Sequence, residues 1–378
     1  MATIRDLRLI ALDYALPDIK AYGMARALIS RRQAGLIEVE TDDGVVGIGE
    51  AWGPPKVAAA YLELLRGYYL GRELYDHQLI WHDVLGRHYH LGIQNQLVTC
   101  MGGLNVAIWD ALGKTLDVPL CKLLGGKARD RIPVYASGGY LTRDPDNQLA
   151  AQLERVAGGN YPGYKIKIGL SPRSDVERIG LAREIIGPEP LLLVDVNGNY
   201  TVDMTLESMR RTERYDVHYY EEPLAPQDYE GYRRLGQRAS VAVAAGEAHY
   251  TVFDFKRLIE TGGVDVLQPD ITLCGGLDQA RQIWQLGAQA GLRLSPHVWG
   301  SAVGLAAAVH FMAALPAYPH TDNLPFPPLM EYDVGWNALR DELLTTPLRA
   351  VDGHVRVPEG PGLGIELDPD ALARFRLA

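Results

Sequence analysis

From residue 165 onward one pattern recurs: a short apolar, β-rich run ends in an ionisable residue, a helical stretch follows, and the next run ends the same way. Lys165 and Lys167, Asp195, Glu221, Glu247, Asp270, His297 and Glu331 come at intervals of roughly 23 to 34 residues, about the length of a strand plus a helix. The candidate strands are 134–137, 164–168, 191–196, 217–222, 241–246, 264–268, 292–295 and 329–332. Eight parallel strands suffice to close a barrel, and the C-terminal strand ends of such a barrel form a single mouth. The polar terminators therefore converge. A mouth carrying this many ionisable groups needs neutralisation, by opposite charges and by a metal.

At 378 residues the chain is too long for one small domain. Ahead of the repeats, residues 36–50 alternate apolar positions around Asp42-Asp43-Gly44, a hairpin signal because Gly tolerates positive φ. Val98, Met101, Leu104, Ile108 and Leu112 recur at helical spacing, and Gly125-Gly126 closes the region. The organisation expected is an α+β unit over 1–127, a barrel over 128–346 and a segment over 347–378 that packs back on the first unit. No internal sequence repeat accompanies the strands, so the repetition is one of architecture. The most apolar stretch, 302–317, is interrupted by His310 and falls short of the roughly 20 residues of a membrane span. It reads as a buried helix.

A formal charge of -10 excludes a surface built to neutralise phosphates, so no nucleic-acid partner is expected. Cys100, Cys121 and Cys274 show no CxxC spacing, which indicates neither a disulfide framework nor a zinc site and fits a reducing cytoplasm. Arg5, Asp6, Arg8 and Asp13 interrupt the start of the chain, leaving no apolar signal-peptide core.

Asp195, Glu221 and Glu247 end three consecutive strands. Three oxygen ligands suit Mg²⁺, whose octahedral shell keeps positions for water and substrate. In Lys165-Ile166-Lys167 the alternation of a strand puts both lysines on one face, pointing into the barrel, with their ammonium groups about 6 to 7 Å apart. Each ammonium, and a nearby divalent cation, disfavours protonation of the other and draws a lysine pKa toward neutrality, where it serves as a base. Asp270 and His297 end adjacent strands, so the carboxylate can fix the imidazole tautomer and raise its basicity. Glu331, on the last strand, is expected to be held neutral and to donate a hydrogen bond to a developing oxyanion. His88, His90, His249 and His310 take no assigned role, although His249, just past Glu247, lies within reach of the mouth.

The ordered set Lys165-Ile166-Lys167, Asp195-Val196-Asn197, Glu221-Glu222-Pro223, Gly246-Glu247, Gln268-Pro269-Asp270 and Pro296-His297 resembles the enolase superfamily, and within it the mandelate racemase/muconate lactonizing enzyme group. The resemblance covers nearly the whole chain. It implies an α/β fold, a (β/α)7β modified TIM barrel under an N-terminal α+β capping domain. It further implies Asp195, Glu221 and Glu247 as Mg²⁺ ligands, Lys167 as base on one face, and His297 paired with Asp270 as acid or base on the other. Glu331 is then the neutral donor and Lys165 sits by the substrate carboxylate and modulates Lys167. Asn197 contacts the substrate or a metal ligand. Specificity is expected to lie in capping loops, here 17–30 and 52–55. The segments Pro296-His297-Val298-Trp299-Gly300, Met330-Glu331-Tyr332-Asp333 and Pro361-Gly362-Leu363-Gly364-Ile365-Glu366 look most similar to galactarolactone cycloisomerase-like proteins and related acid-sugar enzymes, which adds Trp299 to the substrate-binding set.

The implied chemistry is abstraction of the α-proton of a small carboxylate, with the enediolate stabilised by Mg²⁺. Reprotonation from the opposite face gives epimerisation, loss of a β-hydroxyl gives dehydration, and loss of a ring oxygen opens a lactone. A lyase or isomerase of acid sugars or their lactones is the favoured reading, with a racemase or epimerase of a 2-hydroxy acid second. A barrel that binds metal or ligand without turnover is a distant third, since Lys167, Asp270 and His297 are all present. The resemblance also implies a symmetric homo-oligomer and no membrane partner.

Overall fold

The computed structural model describes residues 2–318 and 328–377. Eight parallel strands, Arg131–Ser137, Gly163–Lys167, Leu191–Asp195, Val217–Glu221, Ala242–Ala245, Val266–Leu267, Arg293–Leu294 and Met330–Asp333, follow one another around a barrel. The eighth pairs with the first, Met330 opposite Val134. Between the seventh and eighth the ring is closed by Ser295 Oγ, which donates to the Leu329 carbonyl over 2.8 Å. Seven helices alternate with these strands, from Leu149–Val156 to Ala302–Ala314, so the architecture is (β/α)7β. All eight expected runs are strands. The sixth and seventh keep ladder geometry over two residues each, because their polar ends turn into the mouth.

Strand alternation sorts the barrel into layers. Tyr135, Leu193, Tyr219, Ala244, Val266 and Leu329 fill the interior as one apolar cluster. Two residues further along the same faces stand Ser137, Asp195, Glu221, Gln268 and Glu331, all buried. Intervening residues such as Val134, Ile166, Val194, Val243 and Leu267 point outward into the core shared with the helices. An apolar plug thus floors the polar mouth and shuts it off from the opposite end. Helix Ala302–Ala314 is buried from Ala302 to Ala313, as its uniform apolarity requires. No helix among the described residues is long and apolar enough to cross a membrane.

The first unit is a three-stranded antiparallel sheet, Ile4–Ala15, Arg31–Thr41 and Val46–Ala51, with Arg31–Thr41 in the middle. The expected hairpin turns at Gly44, φ +86°. Helices Pro55–Tyr69, His77–Arg87 and Gln96–Leu116 complete it around a second apolar core. Strand Ile4–Ala15 goes unread in the sequence because Arg5, Asp6 and Arg8 interrupt its alternation; Arg5 and Arg8 instead pair across the sheet with Glu38 and Glu40. The loop after this strand is stitched to the barrel, since Tyr22–Gly23 pairs with Leu28–Ile29 and with Leu141–Thr142 beyond the first barrel strand.

The tail has two attachments. Its hairpin, Ala350–Val351 and His354–Arg356, pairs antiparallel with the start of the first barrel strand, Arg356 opposite Arg131. Helix Pro369–Phe375 then reaches the first unit, where Phe375 meets Tyr14 edge-on at 5.9 Å and Leu377 N–H donates to the Ala11 carbonyl over 2.8 Å.

Backbone-to-backbone packing joins strand Val46–Ala51 to helix Gln96–Leu116. A Cβ added at Gly49 would stand 2.1 Å from the Gly103 carbonyl oxygen, and both elements are rigid. Gly49→Ala is expected to destabilise the protein by about 1–3 kcal/mol through overpacking, read as a lowered urea midpoint; an unchanged midpoint would contradict this contact.

Candidate active site

Most strand ends deliver their side chain to the mouth because an inward position follows an inward apolar one, while Glu247 reaches it past Gly246, at φ +147°. Asp195 and Glu221 are the last residues of their strands, and Glu247, Asp270 and His297 lie just beyond theirs. Ligand oxygens of Asp195, Glu221 and Glu247 all lie within 4.8 Å of one another. Gln268 Nε2 donates to Glu221 Oε2 over 2.7 Å. The Asn197 amide N–H and side chain donate to Asp195 over 2.8 and 3.2 Å, with Asn197 in the left-handed region at φ +49°.

The lysines stand at one end of this acidic row. Lys167 Nζ donates to Asp195 Oδ2 over 2.5 Å. Lys165 is fully buried; its Nζ bonds Glu221 and sits 2.7 Å from Glu331 Oε1 and 3.8 Å from Asp195 Oδ2. The main chain of the second strand is clamped from behind by Arg178, which donates to the Lys167 and Gly139 carbonyls over 2.9 and 2.7 Å. At the other end, His297 Nδ1 donates to Asp270 Oδ2 over 2.6 Å, while Asp270 Oδ1 accepts from Thr272 N–H and Oγ1. That bond leaves Nε2 facing the mouth, 3.6 Å from Glu247 Oε2 and 3.8 Å from Glu331 Oε2.

The electrostatics correct two expectations. Burial alone pulls the lysines down, but Asp195 for Lys167, and Glu221 with Glu331 for Lys165, more than offset it and raise both. The expected drop toward neutrality counts a divalent cation beside the lysines; without that charge in the balance the carboxylates outnumber the ammonium groups that face them, and both lysines rise. Glu331 departs as well. Burial pushes its carboxyl up, yet Lys165, His297 and Lys167 hold it well below the usual range. It accepts from Ser137 Oγ over 2.5 Å and from Val298 N–H over 2.9 Å as well as from Lys165, so it is an ionised acceptor in this arrangement and not a neutral donor.

Glu221 moves the other way: burial and the neighbouring acids push it up despite Lys165. Asp195 is lowered, Lys167 and Lys165 outweighing its burial. Burial likewise disfavours charge on His297, but Glu247, Glu331 and Asp270 raise it to about 10.

Trp299 is already engaged. Its Nε1 donates to Tyr140 Oη over 3.0 Å, Arg32 lies 3.4 Å over its ring, and Trp52 packs 6.0 Å away. It forms a wall between cap and barrel, leaving its polar edge no hydrogen for a ligand. Sequence reasoning missed Ser137 and Gln268, which follow the inward residues Tyr135 and Val266 by two and were therefore readable from alternation. Glu222 was missed too: it is buried, at φ +37°, with Oε1 unpartnered. Arg32 and Glu50 carried no local signal, since their partners lie about 250 residues or more away.

The profile described as "Mandelate racemase / muconate lactonizing enzyme, N-terminal domain" matches residues 13–125, and "Enolase C-terminal domain-like" matches 148–371. The chain belongs to the mandelate racemase/muconate lactonizing enzyme family. It is 36% identical over 350 residues to D-galactarolactone cycloisomerase of Agrobacterium fabrum, covering 92% of each, and 30% identical over 382 residues to arabinonate dehydratase of Saccharolobus solfataricus, covering 99% of each. Among solved structures of this family, 3,6-anhydro-D-galactonate cycloisomerase from Zobellia galactanivorans superposes with a TM-score of 0.88 at 31% identity over the whole of both chains. A racemase from Streptomyces coelicolor A3(2) with bound magnesium superposes at 0.86 and 25% identity, covering 99% of this chain and all of that one.

The raised His297 sets a pH dependence for the metal-free protein. Between its ordinary 6.5 and about 10 the folded state holds a proton that the unfolded state has lost, so this contribution is full below 6.5 and disappears as pH rises through 10. In chelator, stability measured by urea unfolding is expected to fall over that window more steeply than in His297→Asn, by up to about 1.4 kcal/mol per pH unit. Parallel profiles would remove His297 from the charged network.

Proposed function

We propose that this protein is a magnesium-dependent lyase or cycloisomerase that removes the α-proton of an acid sugar or its lactone. One observation carries the reading: the Asp195–Glu221–Glu247 cluster is flanked by Lys167 at its Asp195 end and by His297 at its Glu247 end. The substrate class rests on the activities for which the relatives are named, cycloisomerases and dehydratases of sugar acids.

The acidic residues fit a divalent cation. Their oxygens converge from three strands, Glu247 Oε2 is buried without a hydrogen-bond partner, and hard oxygen donors suit magnesium. When bound, the cation supplies a Lewis acid for the substrate carboxylate and the positive charge that the three acids otherwise draw from the lysines. Lys167, released from its role as counter-ion to Asp195, takes the α-proton on its face. His297, oriented by Asp270, serves the opposite face: as imidazolium its Nε2 gives a proton to the departing oxygen, and as imidazole it takes the α-proton of a C2 epimer bound with that face toward it. Lys165, bonded to Glu221 and Glu331, holds positive charge beneath the reacting carboxylate. The apolar floor keeps water from the site's underside, where these charges act more strongly.

Glu221→Gln is expected to lower magnesium-dependent turnover by at least about 100-fold, in line with losing a preorganised charge, with an unchanged circular dichroism spectrum. Wild-type protein treated with EDTA should lose activity and regain it on magnesium addition; full turnover in EDTA would refute the metal role. Acid sugars and lactones screened by proton NMR in D₂O provide the test of reaction class. A keto product formed with loss of water marks dehydration, a keto acid formed from a lactone without loss of water marks cycloisomerisation, and solvent deuterium at the α-carbon alone marks epimerisation and would overturn the lyase reading. Lys167→Ala and His297→Asn should each suppress deuterium exchange on one face; no change in either would break the two-base assignment.

A further inference from the structure

Glu50, at the end of capping strand Val46–Ala51, is a buried carboxylate that the proposed chemistry does not use. It is 3% exposed, and its side-chain hydrogen bonds cross from the cap to the barrel. Oε1 and Oε2 accept from Ser301 N–H over 3.0 and 3.1 Å, and Oε2 also accepts from Ser301 Oγ over 2.6 Å and Gly304 N–H over 2.9 Å. These donors lie at the start of helix Ala302–Ala314, where unpaired N–H groups and the helix dipole favour an anion. The barrel makes room for it: a Cβ at Gly300 would stand 2.6 Å from Glu50 Oε1, and one at Gly304 would stand 2.9 Å from Oε2.

The segment thus anchored is the one that carries His297. Between the seventh strand and its helix, residues 295–301 run as a short unpaired stretch. Along it Val298 N–H donates to Glu331, the Trp299 carbonyl accepts from Arg32 over 2.5 Å, and the Gly300 carbonyl accepts from Asn337 over 2.9 Å. Two residues beyond Glu50, Trp52 grips the other half of the pair. Its N–H donates to the Thr272 carbonyl over 3.1 Å, Thr272 in turn donates to Asp270, and its ring stands 5.9 Å from the His297 ring. One strand end therefore holds both the loop behind His297 and the loop behind Asp270. Lys167 is held separately, by Arg178 and by the second barrel strand.

We propose that Glu50 is a positioning residue that fixes the His297–Asp270 pair from the capping domain, and that it governs proton transfer on the His297 face while leaving the Lys167 face alone. This deepens the two-base reading and rests on it. The anchor is a four-point carboxylate contact, and a shift of about 1 Å in a catalytic group costs up to about 100-fold in rate, so loosening it is read on one face only.

The test uses full-length, magnesium-loaded Glu50→Gln, which keeps the side-chain volume but removes the charge and sets an amide N–H₂ against the Ser301 N–H where Oε1 accepts. Ser301→Ala, which removes the hydroxyl's bond to Glu50 together with its cap on Val303 N–H, is the milder companion and carries the comparison if Glu50→Gln does not fold. Deuterium uptake is measured on C2-epimeric acid sugars whose faces have been assigned with Lys167→Ala and His297→Asn. In Glu50→Gln, exchange on the His297 face is expected to fall about tenfold to 100-fold, with KM and the Lys167-face rate within about twofold of wild type. Ser301→Ala should show a smaller loss on the same face. Crystal structures of both variants should show the His297 ring displaced while Lys167 keeps its place. Parallel loss on both faces, or an unmoved His297-face rate and an unmoved His297 ring, overturns the proposal. Wild-type protein that exchanges no acid-sugar α-proton would sink the functional reading instead, and the displacement of His297 alone would then uphold or overturn the positioning role.

Discussion

Too many acids share one buried mouth, and the rest of the structure answers that constraint. Asp195, Glu221, Glu222, Glu247, Asp270 and Glu331 crowd around Lys165, Lys167 and His297, six acids against three cationic groups. In a low-dielectric interior such an excess is costly. The opposing displacements of Asp195 and Glu221 express it, since one acid keeps its charge by holding a lysine while its neighbour is pushed toward protonation. The same crowding explains why the lysines and His297 are raised together. Each stands against more than one carboxylate.

Barrel geometry is what makes this crowding tolerable. Alternation places an apolar residue directly beneath nearly every polar one, so the plug built from Tyr135, Leu193, Tyr219, Val266 and Leu329 supports the charged layer and closes it from below. The cap closes it from above, through Trp52 and Trp299 and through the strand pairing of Tyr22–Gly23 with Leu141–Thr142. Neither half buries the site without the other.

This division also explains what could be read from the sequence. The barrel strands and the polar residue ending each one were legible because a period of two and a repeat of one strand plus one helix are local patterns, and the hairpin at Gly44 and the helix Gln96–Leu116 were legible for the same reason. The strand Ile4–Ala15 was not, because its arginines serve cross-strand acids and interrupt the alternation. Side-chain placement followed from alternation, but charge state did not. The direction taken by Lys167 and Glu331 depends on the neighbours gathered from the whole barrel, and reasoning from Lys165 and a divalent cation to Lys167 left the facing carboxylates out. Contacts such as Arg32 with Trp299 and Glu50 with Ser301 join residues some 250 positions apart, and no local pattern announces them.

The two proton-transfer groups are therefore mounted on different supports. Lys167 lies within a regular strand, paired with Asp195 across the ladder and clamped by Arg178, so its position is set by the barrel itself. His297 lies past the end of a two-residue strand, where the ladder no longer fixes the chain, and its place depends on side chains that reach in from the cap and from the eighth strand. The relatives are named as cycloisomerases and as dehydratases, a divergence this asymmetry accommodates. On the proposed mechanism, changes in the cap reposition His297 without disturbing Lys167. The His297 step is then set where cap and barrel meet, while the Lys167 step is built into the barrel.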